Sequence, residues 1–146
     1  MKPLILFFLI NICSLSYTVS QVFKVTIEIE NIENNGTIYL AVYDDPTSFD
    51  YDNKNKNINK KRWVKSIVSR VETFSFSKNI VLKKGIYAIS LFVDSNDNKV
   101  IDKNFLGIPT EQYGFSNDAI GFLGSPSFED ASFNLISDSK IKISLK

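Results

Sequence analysis

Between Val22 and Glu30 apolar and polar residues change places at every step. Phe23, Val25, Ile27 and Ile29 fall on one face, and Lys24, Thr26, Glu28 and Glu30 on the other. A period of two is the side-chain period of a strand; wound on a helix it would scatter the apolar residues around the axis. The segment predicts a strand with one buried face. The pattern returns from Thr37 to Tyr43 (Ile38, Leu40, Val42), from Thr73 to Leu82 (Phe74, Phe76) and from Lys140 to Leu145 (Ile141, Ile143, Leu145). Ile86 to Val93 is apolar almost throughout, as a central strand covered on both faces would be. Ile67-Val68 and Phe128 to Leu135 supply further short strands. Asn34-Asn35-Gly36 predicts a tight turn that makes the first two strands an antiparallel hairpin, and Lys83-Lys84-Gly85 is a second turn. No 3.6-residue stripe is sustained and no repeat recurs. Six to seven short strands separated by turns give an all-β fold class, a single antiparallel β-sandwich. Phe23, Val25, Ile27, Leu40, Phe76, Leu91 and Phe133 are its expected core.

The first twenty residues stand apart. Lys2 precedes a run from Leu4 to Leu15 that is apolar except for Asn11, Cys13 and Ser14, and small or polar residues follow to Ser20. This is the layout of a secretory signal peptide, with Thr18 and Ser20 at the small-residue positions and Gln21 as the mature start. A transmembrane anchor is the alternative, but the run is short of the ~20 residues that a span needs. Lipidation at Cys13 would want a small residue before it, and Ile12 is not small. The reading is therefore residues 1–20 as signal peptide, residues 21–146 as one domain, a secreted or periplasmic (cell-envelope) location and no transmembrane span after cleavage.

Composition removes several function classes. There is no histidine and one cysteine, which excludes His-based triads, His-ligated zinc, CxxC redox chemistry and a disulfide scaffold. With Lys2 removed, 16 basic side chains balance 16 acidic ones, so nothing general favours nucleic acid as a partner. From Asp44 to Lys65 acids come first and bases second, with few apolar residues, which predicts a long exposed loop. A basic patch for nucleic acid or anionic lipid is opposed there by the acids that precede it.

The stretch Asp94 to Asp102 has oxygen-bearing side chains at Asp94, Asn96, Asn98 and Asp102. These are positions 1, 3, 5 and 9 of a calcium loop, in which alternate residues point inward and supply the hard oxygen ligands that Ca²⁺ requires. Val100 would contribute its carbonyl, and Ile101 would tuck beneath. Lys99 occupies the position that prefers glycine, and Phe105 stands where a bidentate glutamate is expected, so Glu111 is the candidate to complete the shell. Asp97 points outward in this scheme. The alternative is a loop that caps itself with side-chain-to-backbone bonds. Phe105, Leu106, Ile108, Tyr113 and Phe115 follow. They predict a lid folded over one end of the sandwich, burying those residues, or a ligand groove lined by Tyr113 and Phe115. Ser116 lies outside any G-x-S-x-G setting and has no histidine to activate it.

Y-A-I-S-L-F-V-D-S-N-D-N-K-V-I-D-K-N-F-L-G-I-P-T-E-Q-Y-G-F-S-N, followed by P-S-F-E-D-A-S-F, resembles the DUF2141 family of small secreted bacterial proteins, most densely from Gly85 to Phe133. The resemblance implies a signal peptide, a single all-β domain of Ig-like or transthyretin-like build, and no assigned activity. Two positions depart from the family pattern: Val93, where His is common, and Lys99, where Gly is common. If the family loop takes a metal through that His, this chain lacks one ligand. The Asn/Lys insert at Asp52–Lys61 is also particular to this chain.

These readings converge on an exported binding or accessory module of the cell envelope, not an enzyme, with Ca²⁺ as the one candidate cofactor. Its partner would be an envelope protein or a small ligand. A hydrolase using Asp94, Asp102 and Glu111 is one alternative, since paired carboxylates cleave glycosides. A structural protein that self-associates through edge strands is the other.

Overall fold

The computed structural model describes residues 20–54, 62–72, 74–122 and 124–146. Except for Ser20, the expected signal peptide lies outside them. Among the described residues no helix is long and apolar enough to cross a membrane.

Among the described residues eight strands, where six to seven were expected, form two stacked sheets. β1 (Val22–Glu30) is the middle strand of a three-stranded sheet. It pairs antiparallel with β4 (Phe76–Lys83) and parallel with β8 (Ser139–Ser144). The second sheet runs β3 (Lys65–Val71), β2 (Gly36–Tyr43), β5 (Gly85–Asp94) and β6 (Tyr113–Phe115). The lower half of β5 pairs instead with β7 (Ser132–Leu135). The alternation seen in the sequence decides which faces meet. Val25, Ile27 and Ile29 of β1 pack against Ile38, Leu40 and Val42 of β2 and Ile89, Leu91 and Val93 of β5, each at most 4% exposed. Phe23, Phe76 and Phe133 pack at the margin of this core. β5, as expected, is central, with neighbours on both edges.

Three expectations are corrected. β1 and β2 are not a hairpin: they belong to different sheets and stack face to face. A single apolar face is buried equally well by pairing or by stacking, so alternation cannot choose between them. The crossover at 31–35 is held by Gln112, whose Oε1 accepts from the N–H groups of Glu33 and Asn34 while its Nε2 donates to the Asn31 carbonyl at 2.8 Å. β8 pairs parallel with β1, so the sandwich is not purely antiparallel.

Secondly, the stretch expected as a long loop, Asp44–Lys65, contains a helix, α1 (Pro46–Lys54), and its residues 55–61 lie outside the described residues. Asp45 precedes Pro46 and its carboxylate accepts the Ser48 N–H at 3.0 Å, an N-cap with proline at the first helical position. Phe49 drops from α1 onto the outer face of the β2–β5 sheet. It is fully buried against the rings of Tyr43, Phe115 and Phe128, with centroids 5.5–6.0 Å apart. Burying a phenylalanine contributes about 2–3 kcal/mol, enough to order a helix with little other apolar content. Phe128 comes from the short helix α2 (Phe128–Ala131), which precedes β7. Burial, and then the charge of Asp52 beside it, holds the Tyr43 phenol protonated well above the usual tyrosine range.

Thirdly, Phe74 is no strand residue: β4 begins at Phe76, and Phe74 is 84% exposed.

Candidate functional site

β5 ends at Asp94 and β6 begins at Tyr113, so the connection between these neighbouring strands lies at one end of the sandwich. Asp94 is fully buried. One carboxylate oxygen accepts the Asn98 N–H at 3.2 Å and the other the Lys99 N–H at 2.7 Å. Asn96 Oδ1 accepts from the Asn98 N–H and Asn98 Oδ1 from the Val100 N–H, each two residues on. Both amide nitrogens then donate to Asp102, Asn96 at 2.6 Å and Asn98 at 3.1 Å. The structure therefore brings Asp94, Asn96, Asn98 and Asp102 together, as their spacing predicts.

The coil is tight because Asp97 (φ 61°) and Lys99 (φ 67°) adopt left-handed backbone. Lys99 accepts the conformation that favours glycine, at a cost of about 1–2 kcal/mol. Asp97 points away from the coil, as expected, and binds Arg70 at 3.2 Å and the Thr37 hydroxyl. Both side chains of that ion pair are more than half exposed, so it contributes less than about 1 kcal/mol.

Glu111 joins the loop. Its Oε1 accepts the Ser95 N–H at 2.8 Å and the Ser95 hydroxyl at 3.1 Å, and its Oε2 accepts the Asp102 N–H at 3.1 Å. It fastens the two ends of the coil to each other and is 7% exposed. Val100 gives its N–H to Asn98; Ile101 is half-buried. Position 93 lies on the core face of β5, opposite Asp94 in the alternation. A side chain there points between the sheets and not at the coil.

The lid is corrected in part. Phe105, Leu106 and Ile108 are 95%, 68% and 55% exposed. They occupy a small turn closed by the Lys103–Pro109 bridge, in which Asn104 Oδ1 accepts the N–H groups of both Leu106 and Ile108 and Gly107 has φ 81°. Asn104 satisfies the backbone locally, so the turn needs no support from its apolar side chains, and these project outward. Tyr113 and Phe115 do pack inward, with ring centroids 6.0 Å apart, against the outer-face cluster around Phe49. The cleft they share with Ile120 and Pro126 has room for only about 10 Å³, roughly one water molecule. Tyr113 also lies opposite Phe92, whose ring stacks on Tyr39 at 5.3 Å. The three make an aromatic row across the outer face of the sheet, beside the coil. Sequence reasoning missed this row, which depends on register, and missed Gln112 and Asn104, whose roles depend on distant or turn backbone.

Residues 27–144 match the family described as an uncharacterized protein conserved in bacteria (DUF2141). The chain belongs to the DUF2141 family. The matched span runs from β1 to the end of β8 and so takes in both sheets and the coil. No curated protein and no solved structure matches this DUF2141 chain.

Proposed function

We propose that this DUF2141 protein is an exported binding module of the cell envelope, with the 94–111 connection as its working surface and Ca²⁺ as a structural ligand of the coil. The observation that carries the reading is the apolar tip. Phe105 and Leu106 are held out on a turn whose backbone is internally hydrogen-bonded, and ordered, exposed apolar groups of this size mark contact surfaces. The partner is an envelope protein or a small ligand. The export signal at residues 1–20 supports a secreted or periplasmic location.

The donor set fits a hard cation. Asp94 and Asp102 supply carboxylates, and Asn96 and Asn98 supply amide oxygens that each keep a second lone pair beyond the backbone bond they accept. Glu111 lies adjacent. When bound, the ion would neutralise the two carboxylates and stiffen the coil that carries the tip. Because Asp94 and Glu111 engage both oxygens with loop N–H groups, their arrangement favours positioning over acid–base catalysis.

The test has three arms. Intact mass of exported protein should begin at Gln21. Millimolar Ca²⁺ should raise the melting temperature, by the equivalent of about 2.7 kcal/mol at 100 times Kd, with Mg²⁺ much less effective because of its stricter geometry. Asp94→Ala should abolish the response and Asp97→Ala retain it. Phe105→Ser with Leu106→Ser should lose whatever the wild type captures from envelope extract. Identical melts in Ca²⁺ and EDTA would remove the ion from the reading, and unchanged capture would remove the tip.

A further inference from the structure

A groove of about 570 Å³ opens along the side of the sandwich where β3 and β4 end their respective sheets. Among the described residues each of these strands has one strand neighbour, β2 for β3 and β1 for β4. Each therefore turns a row of backbone N–H and C=O groups toward the groove. Such edges add strands readily.

Three lysines line it: Lys24, Lys65 and Lys78. The register places Lys78 opposite Ile27 and Lys65 opposite Val42, both core positions. Opposed residues share a face, so both lysines lie on the inward side of their sheets, at its open margin. Among the described residues none of the three has an ion-pair partner, and no acid lines the groove. The other edge of the same sheet is built differently. There Lys140 pairs with Glu28 at 2.8 Å and Lys142 with Glu30 at 3.1 Å. Positive charge is neutralised at the β8 edge and left standing at the β4 edge. Between the lysines the surface is apolar, with Ile67 at its floor and Val68 and Val81 about 60% exposed.

We propose that this groove receives an extended acidic segment of a partner protein, which adds to β4 as a further strand and sets its carboxylates against Lys65 and Lys78. An added strand has alternate side chains facing inward, and acids at those positions meet the two inward lysines while apolar residues lie over Val81. β4 has eight residues, so at about 3.3 Å per residue it matches a segment roughly 25 Å long. The same lysines disfavour a second copy of this chain, because edge-to-edge self-pairing would bring like charges together. The site lies away from the 94–111 connection: Lys65 is five residues along β3 from Arg70, which pairs with Asp97 of that connection, roughly 17 Å. It holds whether or not the coil takes calcium.

The test titrates the full chain with a labelled octapeptide alternating glutamate and valine, and with its lysine–valine counterpart, by fluorescence anisotropy at about 50 mM and about 500 mM salt. Amide hydrogen exchange is followed in parallel. The acidic peptide should bind at least tenfold more tightly than the basic one and weaken at least tenfold at high salt. It should also slow exchange within Phe76–Lys83. The double variant Lys65→Glu, Lys78→Glu alters exposed side chains only, and its circular dichroism and melt should match the wild type; it should reverse the peptide preference. No saturable binding overturns the proposal and leaves the lysines as guards against self-pairing. Equal binding of both peptides, or an unchanged preference in the double variant, overturns it as well. Polyphosphate that displaces the peptide, together with no protection of β4, would show an anion site without strand addition, which also overturns it.

Discussion

Glu111 ties the two ends of the coil with one carboxylate, and its replacement by glutamine isolates that role. The amide is nearly isosteric. Its oxygen can keep the Ser95 N–H and hydroxyl, now as neutral bonds, but its NH₂ then faces the Asp102 N–H, donor against donor. One charge-assisted bond, worth about 1.5–3 kcal/mol, is lost, and a half-buried N–H is left without an acceptor. The expected loss is about 2–3 kcal/mol. For a domain of this size roughly 4 °C accompanies each kcal/mol, so the melting temperature should fall by about 10 °C. Urea unfolding in EDTA measures the loss without any contribution from bound cation, and the slope with denaturant should stay constant. Asp97→Asn is the internal control. It removes only the exposed pair with Arg70 and should cost less than about 1 kcal/mol. If Glu111→Gln costs no more than Asp97→Asn, Glu111 does not organise the coil.

Phe49→Ala should cost about 3–5 kcal/mol by chemical denaturation, because three rings close on a side chain with no exposure; a loss below about 1 kcal/mol would return Pro46–Lys54 to a surface segment. Lys99→Gly should raise the urea midpoint, with about 0.5–1 kcal/mol gained as glycine relieves the left-handed backbone, and any destabilisation would contradict that geometry. The hydrogen bond from Lys140, reinforced by the charges of Lys140 and Lys142, holds the Glu28 carboxyl below the ordinary glutamate range. Its stabilisation is therefore present above the unfolded-state pKa and lost as pH falls through the lower folded value. Glu28→Gln should differ from wild type at neutral pH and converge with it as urea midpoints are followed from about pH 5 to about pH 3, whereas a gap that persists in acid would break the assignment.

Much of the architecture was legible because period-two alternation is a local property. It identified the inward faces of β1 and β2, and hence Val25, Ile27 and Leu40 as core, while the unbroken apolar run of β5 marked Leu91 as central without choosing a face. The coil was legible for the same reason: oxygen side chains two residues apart curl onto one point whenever the backbone turns. α1 was half legible. Asp45-Pro46 is a helix-start signal carried by two adjacent residues, but only Phe49 points inward strongly enough to show, and one residue makes no stripe. Its receptor is assembled from Tyr43, Phe115 and Phe128, which the chain supplies from β2, β6 and α2.

Local pattern alone was enough for the class of fold, the buried faces of β1 and β2 and the oxygen cluster after β5, since each depends on neighbours in the chain whose spacing is set by the backbone. That β1 and β2 stack instead of pairing was decided by packing between distant segments. The same packing decided that the row Tyr39, Phe92 and Tyr113 crosses the outer face, and that Lys65 and Lys78 meet across one groove. The fate of the tip was settled at that level too. Apolar composition predicts burial for Phe105 and Leu106, but burial needs a surface within reach, and Asn104 closes the turn before the chain can fold back to one. Pairing, register and reach are relations between segments distant in sequence, and hydrophobic pattern carries no record of which partner, among several equally apolar ones, a face will find.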